Sequence, residues 1–238
     1  MAKAVLLNNI DHQDLRVLTT RGAAYGDDAI FAHTFPAEFR QLQAHYPIVF
    51  RRSPDGATFE AFALFGFETG ENLFLGADGW QASYVPLAVE RQPFLIGIGA
   101  GEPGLTVHVD LDSPRIGRTD GEAVFMPHGS PTPFLERMNS TLLALHQGMQ
   151  AMPSFVAALL ELDLLEAFVF DIELDDGSQN RMEGFYMINE EKLGALDGAT
   201  LEGLSRAGYL QPIYMVIASL SNFRALIDRK NRLNAARH

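Results

Sequence analysis

The stretch HGSPTPFLERMNSTLLALHQGM, residues 128–149, is where the chain changes texture. Thr132 can cap a helix, and Pro133 suits its first turn because that position has no intrahelical amide bond to lose. Phe134, Met138, Leu142, Leu145 and Met149 recur at three- and four-residue spacing, which gives a helix one apolar face. That face needs something to cover it. Upstream, the residues read mainly as strands and turns. Ser53-Pro54-Asp55-Gly56 punctuates two β-prone runs, IVFRR and TFEAFALFGF, as a hairpin turn would. The second run, residues 58–67, is too dense in aromatics for clean alternation and predicts a strand buried on both faces. Residues 15–18, 29–34, 94–98, 105–111 and 123–126 supply further strands, and 36–45 a helical piece.

Downstream the pattern is mainly helical. Pro153 is expected to open a second helix after one ending near Met149. FVFDIEL and RMEGFYMIN flank the turn Asp175-Asp176-Gly177-Ser178 and predict one more hairpin. Asn189 and Thr200 are candidate helix caps, Gly208 a helix end, and residues 211–233 a final helix. The expected fold class is α+β in one domain, residues 1–238. Residues 1–129 would be mainly β and 130–238 mainly α with one hairpin. The helices would pack on a largely antiparallel N-terminal sheet of roughly seven or more strands.

Composition narrows the function. Eighteen basic against thirty acidic residues give a formal charge of −12, which disfavours phosphate backbones and anionic lipid as partners. The absence of cysteine removes thiolate nucleophiles, disulfides and iron–sulfur ligation. The apolar run near the N-terminus is too short for a secretory core, and no segment approaches a membrane span, so a soluble, cytoplasmic protein is expected.

Few constellations carry chemistry. GIGAGEPG, residues 97–104, lacks the Gly-Lys-Ser/Thr of a phosphate loop and reads as turn glycine. No Gly-x-Ser-x-Gly elbow occurs, since Gly129-Ser130 runs into Pro131. Glu68, Glu71, Glu90, Asp110 and Asp112 are carboxylates whose separations the sequence does not specify. His108 and Asp110 sit two apart on a strand and so share a face. With His128 or His146 they would make the two-histidine, one-carboxylate set of non-haem iron sites. Trp80, Tyr84 and Arg91 form the other candidate, a ligand or partner surface with flat apolar area and a guanidinium fork. The competing reading puts Trp80 and Phe94 in the core and pairs Arg91 with Glu90 or Glu68.

Short blocks along nearly the whole chain resemble the SapC family of bacterial proteins. They include Asn9 and His12 before Leu15-Arg16-Val17, then Phe35-Pro36-x-Glu38-Phe39 and Tyr46-Pro47-Ile48-x-Phe50. Gly70-Glu71-Asn72-Leu73-Phe74-Leu75, Gly79-Trp80, Tyr84-Val85-Pro86 and Arg91-x-Pro93-Phe94 follow. Asp176-Gly177, Gly184-Phe185-Tyr186-x-Ile188-Asn189, Leu193 and Ser219-Leu220 continue the likeness. The resemblance implies a surface-layer or uptake-locus setting, alongside TonB-dependent receptors, flavin-dependent halogenase-like proteins and cupin-like proteins. It supplies no catalytic residues and no cofactor. The expectation is a soluble accessory or binding protein for a small molecule or peptide, with a protein partner from an uptake or halogenase-like system. The alternative is an iron oxygenase-like enzyme using His108 and Asp110.

Overall fold

Of the strands and helices expected, most form, but they are joined differently. The computed structural model describes residues 3–98 and 104–236; most of the 97–104 loop falls outside them. The strands are β1 (Ala4–Leu6), β2 (Arg16–Val17), β3 (Phe31–Thr34), β4 (Ile48–Arg52), β5 (Phe59–Leu64), β6 (Leu75–Gly76) and β7 (Gly79–Trp80). Then come β8 (Phe94–Ile98), β9 (Leu105–Asp110), β10 (Ile116–Gly117), β11 (Glu122–Ala123), β12 (Leu165–Glu173) and β13 (Gln179–Ile188). The helices are α1 (Phe39–Leu42), α2 (Leu87–Glu90), α3 (Pro133–Glu161), α4 (Glu190–Gly194), α5 (Gly198–Arg206), α6 (Leu210–Ser219) and α7 (Asn222–Ala235). The class is α+β, and the strand ladders are antiparallel. Among the described residues, no helix is long and apolar enough to cross a membrane.

The strands do not share one sheet. They fall into ladders ordered β1-β9-β8, β10-β2-β11, β12-β13-β4-β5-β3 and β6-β7. The chain groups into two compact units. One comprises Met1–Asp28, Leu75–Gln81 and Leu87–Gln147, the other Ala29–Phe74, Ala82–Pro86 and Gly148–His238.

In the first unit the apolar face of the helix is covered as its spacing requires. Phe134, Leu135, Met138 and Leu142 of α3 pack with Leu15, Val17, Phe94, Val109 and Val124. Each such side chain contributes about 1.5–3 kcal/mol on burial. Thr132 caps the helix: its Oγ1 accepts from the Leu135 amide at 3.3 Å and donates to the Ala123 carbonyl at 2.7 Å. A polar knot lies in the same unit. Arg115 is 1% exposed and directs Nη2 at both carboxylate oxygens of Asp27, each at 2.6 Å. Its Nη1 reaches the carbonyls of Leu18 and Thr20, and Tyr25 lies under the guanidinium.

In the second unit β5 lies between β4 and β3, and Phe59, Ala61, Phe62, Ala63 and Leu64 are all buried. That is the two-faced burial expected of the 58–67 run. The hairpin β12–β13 joins the same sheet through β4. Helix α6 packs against β13, β4, α1 and α5. Ser219 fastens it, accepting from the Ile48 amide at 2.9 Å and donating to the Val216 carbonyl at 2.5 Å. Lys230 of α7 is buried against Glu71, at 2.5 Å, and Glu68, at 3.2 Å. Burial alone would pull its pKa down, but the hydrogen bonds and charges of the two carboxylates hold it above the ordinary ammonium value.

Three expectations about helices are corrected. Pro153 does not open a second helix: α3 is continuous over 29 residues with that proline inside it. The ring removes the amide that would bond the Met149 carbonyl, at a cost of about 3 kcal/mol. Met152, Phe155, Val156 and Leu159 are buried around it. At about 1.5–3 kcal/mol each they outweigh that loss. The final helix is broken between Ser219 and Asn222. There Ser219 and Ser221 turn their hydroxyls back onto the carbonyls of Val216 and Ala218, bonds that compete with helical ones. Asp197, not Thr200, caps α5, accepting from the Thr200 amide at 2.8 Å. Asn189 caps α4 as expected.

Candidate functional site

The residues read as a ligand surface have internal partners. Trp80 is half-buried on β7, opposite Leu75. The Tyr84 hydroxyl donates to Glu38 Oε1 at 2.9 Å, and the Tyr84 carbonyl accepts from the Tyr46 hydroxyl at 2.5 Å. Glu38 is 3% exposed and also accepts from Thr34 Oγ1 at 2.7 Å. Three hydroxyl-bearing side chains thus organise a buried carboxylate and the segment that carries Tyr84. Arg91 donates to the Phe94 carbonyl at 2.7 Å, and burial lowers its pKa from the usual guanidinium value. The Glu90 carboxylate offered to it on sequence grounds is held by Arg21 at 2.5 Å. Trp80 and Arg91 belong to the first unit and Tyr84 to the second. Arg91→Ala is therefore expected to lower stability by about 1–2 kcal/mol in urea denaturation, the scale of a charged hydrogen bond to a part-buried carbonyl. An unchanged transition midpoint would show that the Phe94 contact carries no weight.

His108, Asp110 and His128 are also engaged locally. His108 Nε2 lies 3.2 Å from Thr106 Oγ1. The ring covers Gly97 so closely that a Cβ there would stand 2.8 Å from Nε2. Asp110 accepts from the Asp112 amide at 3.1 Å as an ordinary turn carboxylate. His128 is exposed, its Nε2 2.7 Å from Ser130 Oγ. His146 is half-buried on α3. Among the described residues, no three His, Asp or Glu side chains gather as a metal site requires.

An apolar concavity lies in the second unit, among α1, the C-terminal half of α3 and the start of α6. It is a cleft of about 320 Å³. Half-buried Tyr209 faces the cleft, edge-on to the fully buried Phe155 behind it at 5.5 Å between ring centres. Pro36 adds a flat face, and Met215 a flexible thioether. Gly208 explains the placement of Tyr209. At φ 77° it closes α5, and the Tyr209 amide turns back to the Leu204 carbonyl at 2.9 Å. The next helix then starts directly on the cleft.

Arg40 is the cleft's cation. It is exposed on α1, and none of the lining residues is acidic. The arrangement can hold a flat apolar body and present a fork to a polar group at its edge. Sequence reading missed this site. The one local signal is that Arg40 occupies the opposite face of α1 from buried Phe39 and Leu42.

Comparison with curated proteins and with solved structures returned no match in either case. The SapC family model matches residues 7–226. That span takes in both units and every helix lining the cleft, and the chain belongs to the SapC family.

Proposed function

We propose that this SapC family chain acts by binding a small molecule, as a cytoplasmic accessory protein to an uptake system or to a modifying enzyme. The observation that carries the binding role is the cleft at Tyr209, which combines an aromatic face, apolar walls and one edge cation. Small-molecule sites have this composition: mostly apolar walls with a few placed polar groups. The uptake or modification setting rests on the family resemblance alone. In this reading Trp80, Tyr84 and Arg91 support the structure through the bonds described above, and ligand contact passes to the cleft.

The neutral fluorophore N-phenyl-1-naphthylamine tests the binding role, because it emits strongly only in an apolar site. Wild-type protein is expected to bind it saturably. Ala151→Phe fills the cleft from an exposed position of α3. It should abolish the signal at unchanged melting temperature. Non-saturable emission, or the same titration curve for both proteins, would remove the cleft as the site.

A further inference from the structure

Resting on the binding role just proposed, we infer that the cleft takes a small aryl carboxylic acid, its ring against Tyr209 and its carboxylate on Arg40. Charge argues first. In a chain with thirty acidic and eighteen basic residues, this cleft is lined by an arginine and no carboxylate. Three other concavities mix signs: Asp171 and Glu173 lie with Arg181, Asp14 with Arg16 and Arg118, and Glu68 and Asp176 with Lys230. Arg40 makes no ion pair or hydrogen bond within the described residues. Its fork is thus uncommitted, unlike those of Arg21, Arg115 and Arg181. A planar guanidinium meets a carboxylate through two parallel bonds, a match that a neutral group or a lone ammonium does not reproduce.

Shape argues for the aryl part. The half-buried rings of Pro36 and Tyr209 present plane faces, with Met215 able to set its sulfur against a ring edge. A flat body fills that space with little loss of rotational freedom, whereas a flexible chain must be ordered to fit. The volume, about 320 Å³, lies at the small end of ligand sites, which favours a free acid over the end of a peptide.

Calorimetric titration with 2-naphthoate and its neutral isostere 2-naphthamide separates the claims. Wild type is expected to bind the acid about five- to tenfold more tightly than the amide, a charge-assisted contact discounted for solvent. Arg40→Gln should erase that preference, by weakening the acid far more than the amide. Equal affinity for acid and amide in wild type would overturn the carboxylate inference and leave the apolar binding role standing. A preference that survives Arg40→Gln would overturn the assignment to Arg40. Tighter binding of a tripeptide acid ending in phenylalanine than of 2-naphthoate would overturn the free-acid source. No binding of any probe, N-phenyl-1-naphthylamine included, would overturn this inference and the binding role together.

Discussion

Arg115→Ala is expected to remove about 3–5 kcal/mol of stability, because it strips a buried carboxylate of its main counter-charge. Asp27 lies at 2% exposure and takes both of its short bonds from Arg115. Arg21 stands 3.5 Å from it and the Gly22 amide donates at 2.8 Å, so some compensation remains. Arg115 Nε has no partner among the described residues, so the native pair already bears one unmade bond. The consequence is asymmetric. Removing one partner is costly, while replacing both with apolar residues is expected to recover much of the loss. A urea double-mutant cycle with Arg115→Met and Asp27→Leu measures this. Additive single and double effects would mean that the pair is not coupled.

Gly148→Ala is the second large effect, and it opposes helix propensity. Alanine normally stabilises a helix interior by about 1 kcal/mol over glycine. Here the new Cβ would stand 2.1 Å from Phe35 Cδ2 and 2.4 Å from Cγ, and Phe35 is only 3% exposed. The ring has nowhere to go without moving the α3 backbone, so a net loss of about 2–3 kcal/mol is expected from overpacking. Gly203→Ala in α5 is the control: its Cβ meets nothing within 4 Å. That substitution should raise the melting temperature while Gly148→Ala lowers it. The same sign for both would refute the packing account.

These two positions show what was legible from sequence. Local chemistry was: the Thr132 cap, the stripe Phe134–Met138–Leu142, the two-faced burial of β5 and the Asn189 cap all stand where residue type and spacing put them. Competition between local and tertiary terms was not. Pro153 looks like a helix start until the burial of Met152, Phe155, Val156 and Leu159 is counted against its missing amide. Ser219 and Ser221 look compatible with one long helix until their hydroxyls are seen on carbonyls of the preceding turn.

Partners distant in sequence were the least legible. Tyr84 reads as a surface aromatic because nothing near it announces Glu38, Thr34 and Tyr46. The cleft is assembled from α1, α3 and α6, whose lining residues are ordinary in their own segments. Arg40 gains meaning only beside Phe155 and Tyr209. By contrast, His108 and Asp110 matched a local metal pattern, yet no third ligand is brought to them among the described residues.

The central claim is that ligand enters the cleft of the second unit, and its methionines allow a direct test. Of the eight methionines in the chain, Met215 lines the cleft, while Met126 and Met138 belong to the other unit. Protein labelled with 13C at the methionine methyls and titrated with 2-naphthoate should show a saturable ring-current shift of the Met215 signal, assigned by Met215→Leu. The Met126 and Met138 signals should stay in place. A titration that moves Met126 or Met138 and leaves Met215 unmoved, or that moves none of them, would contradict the account.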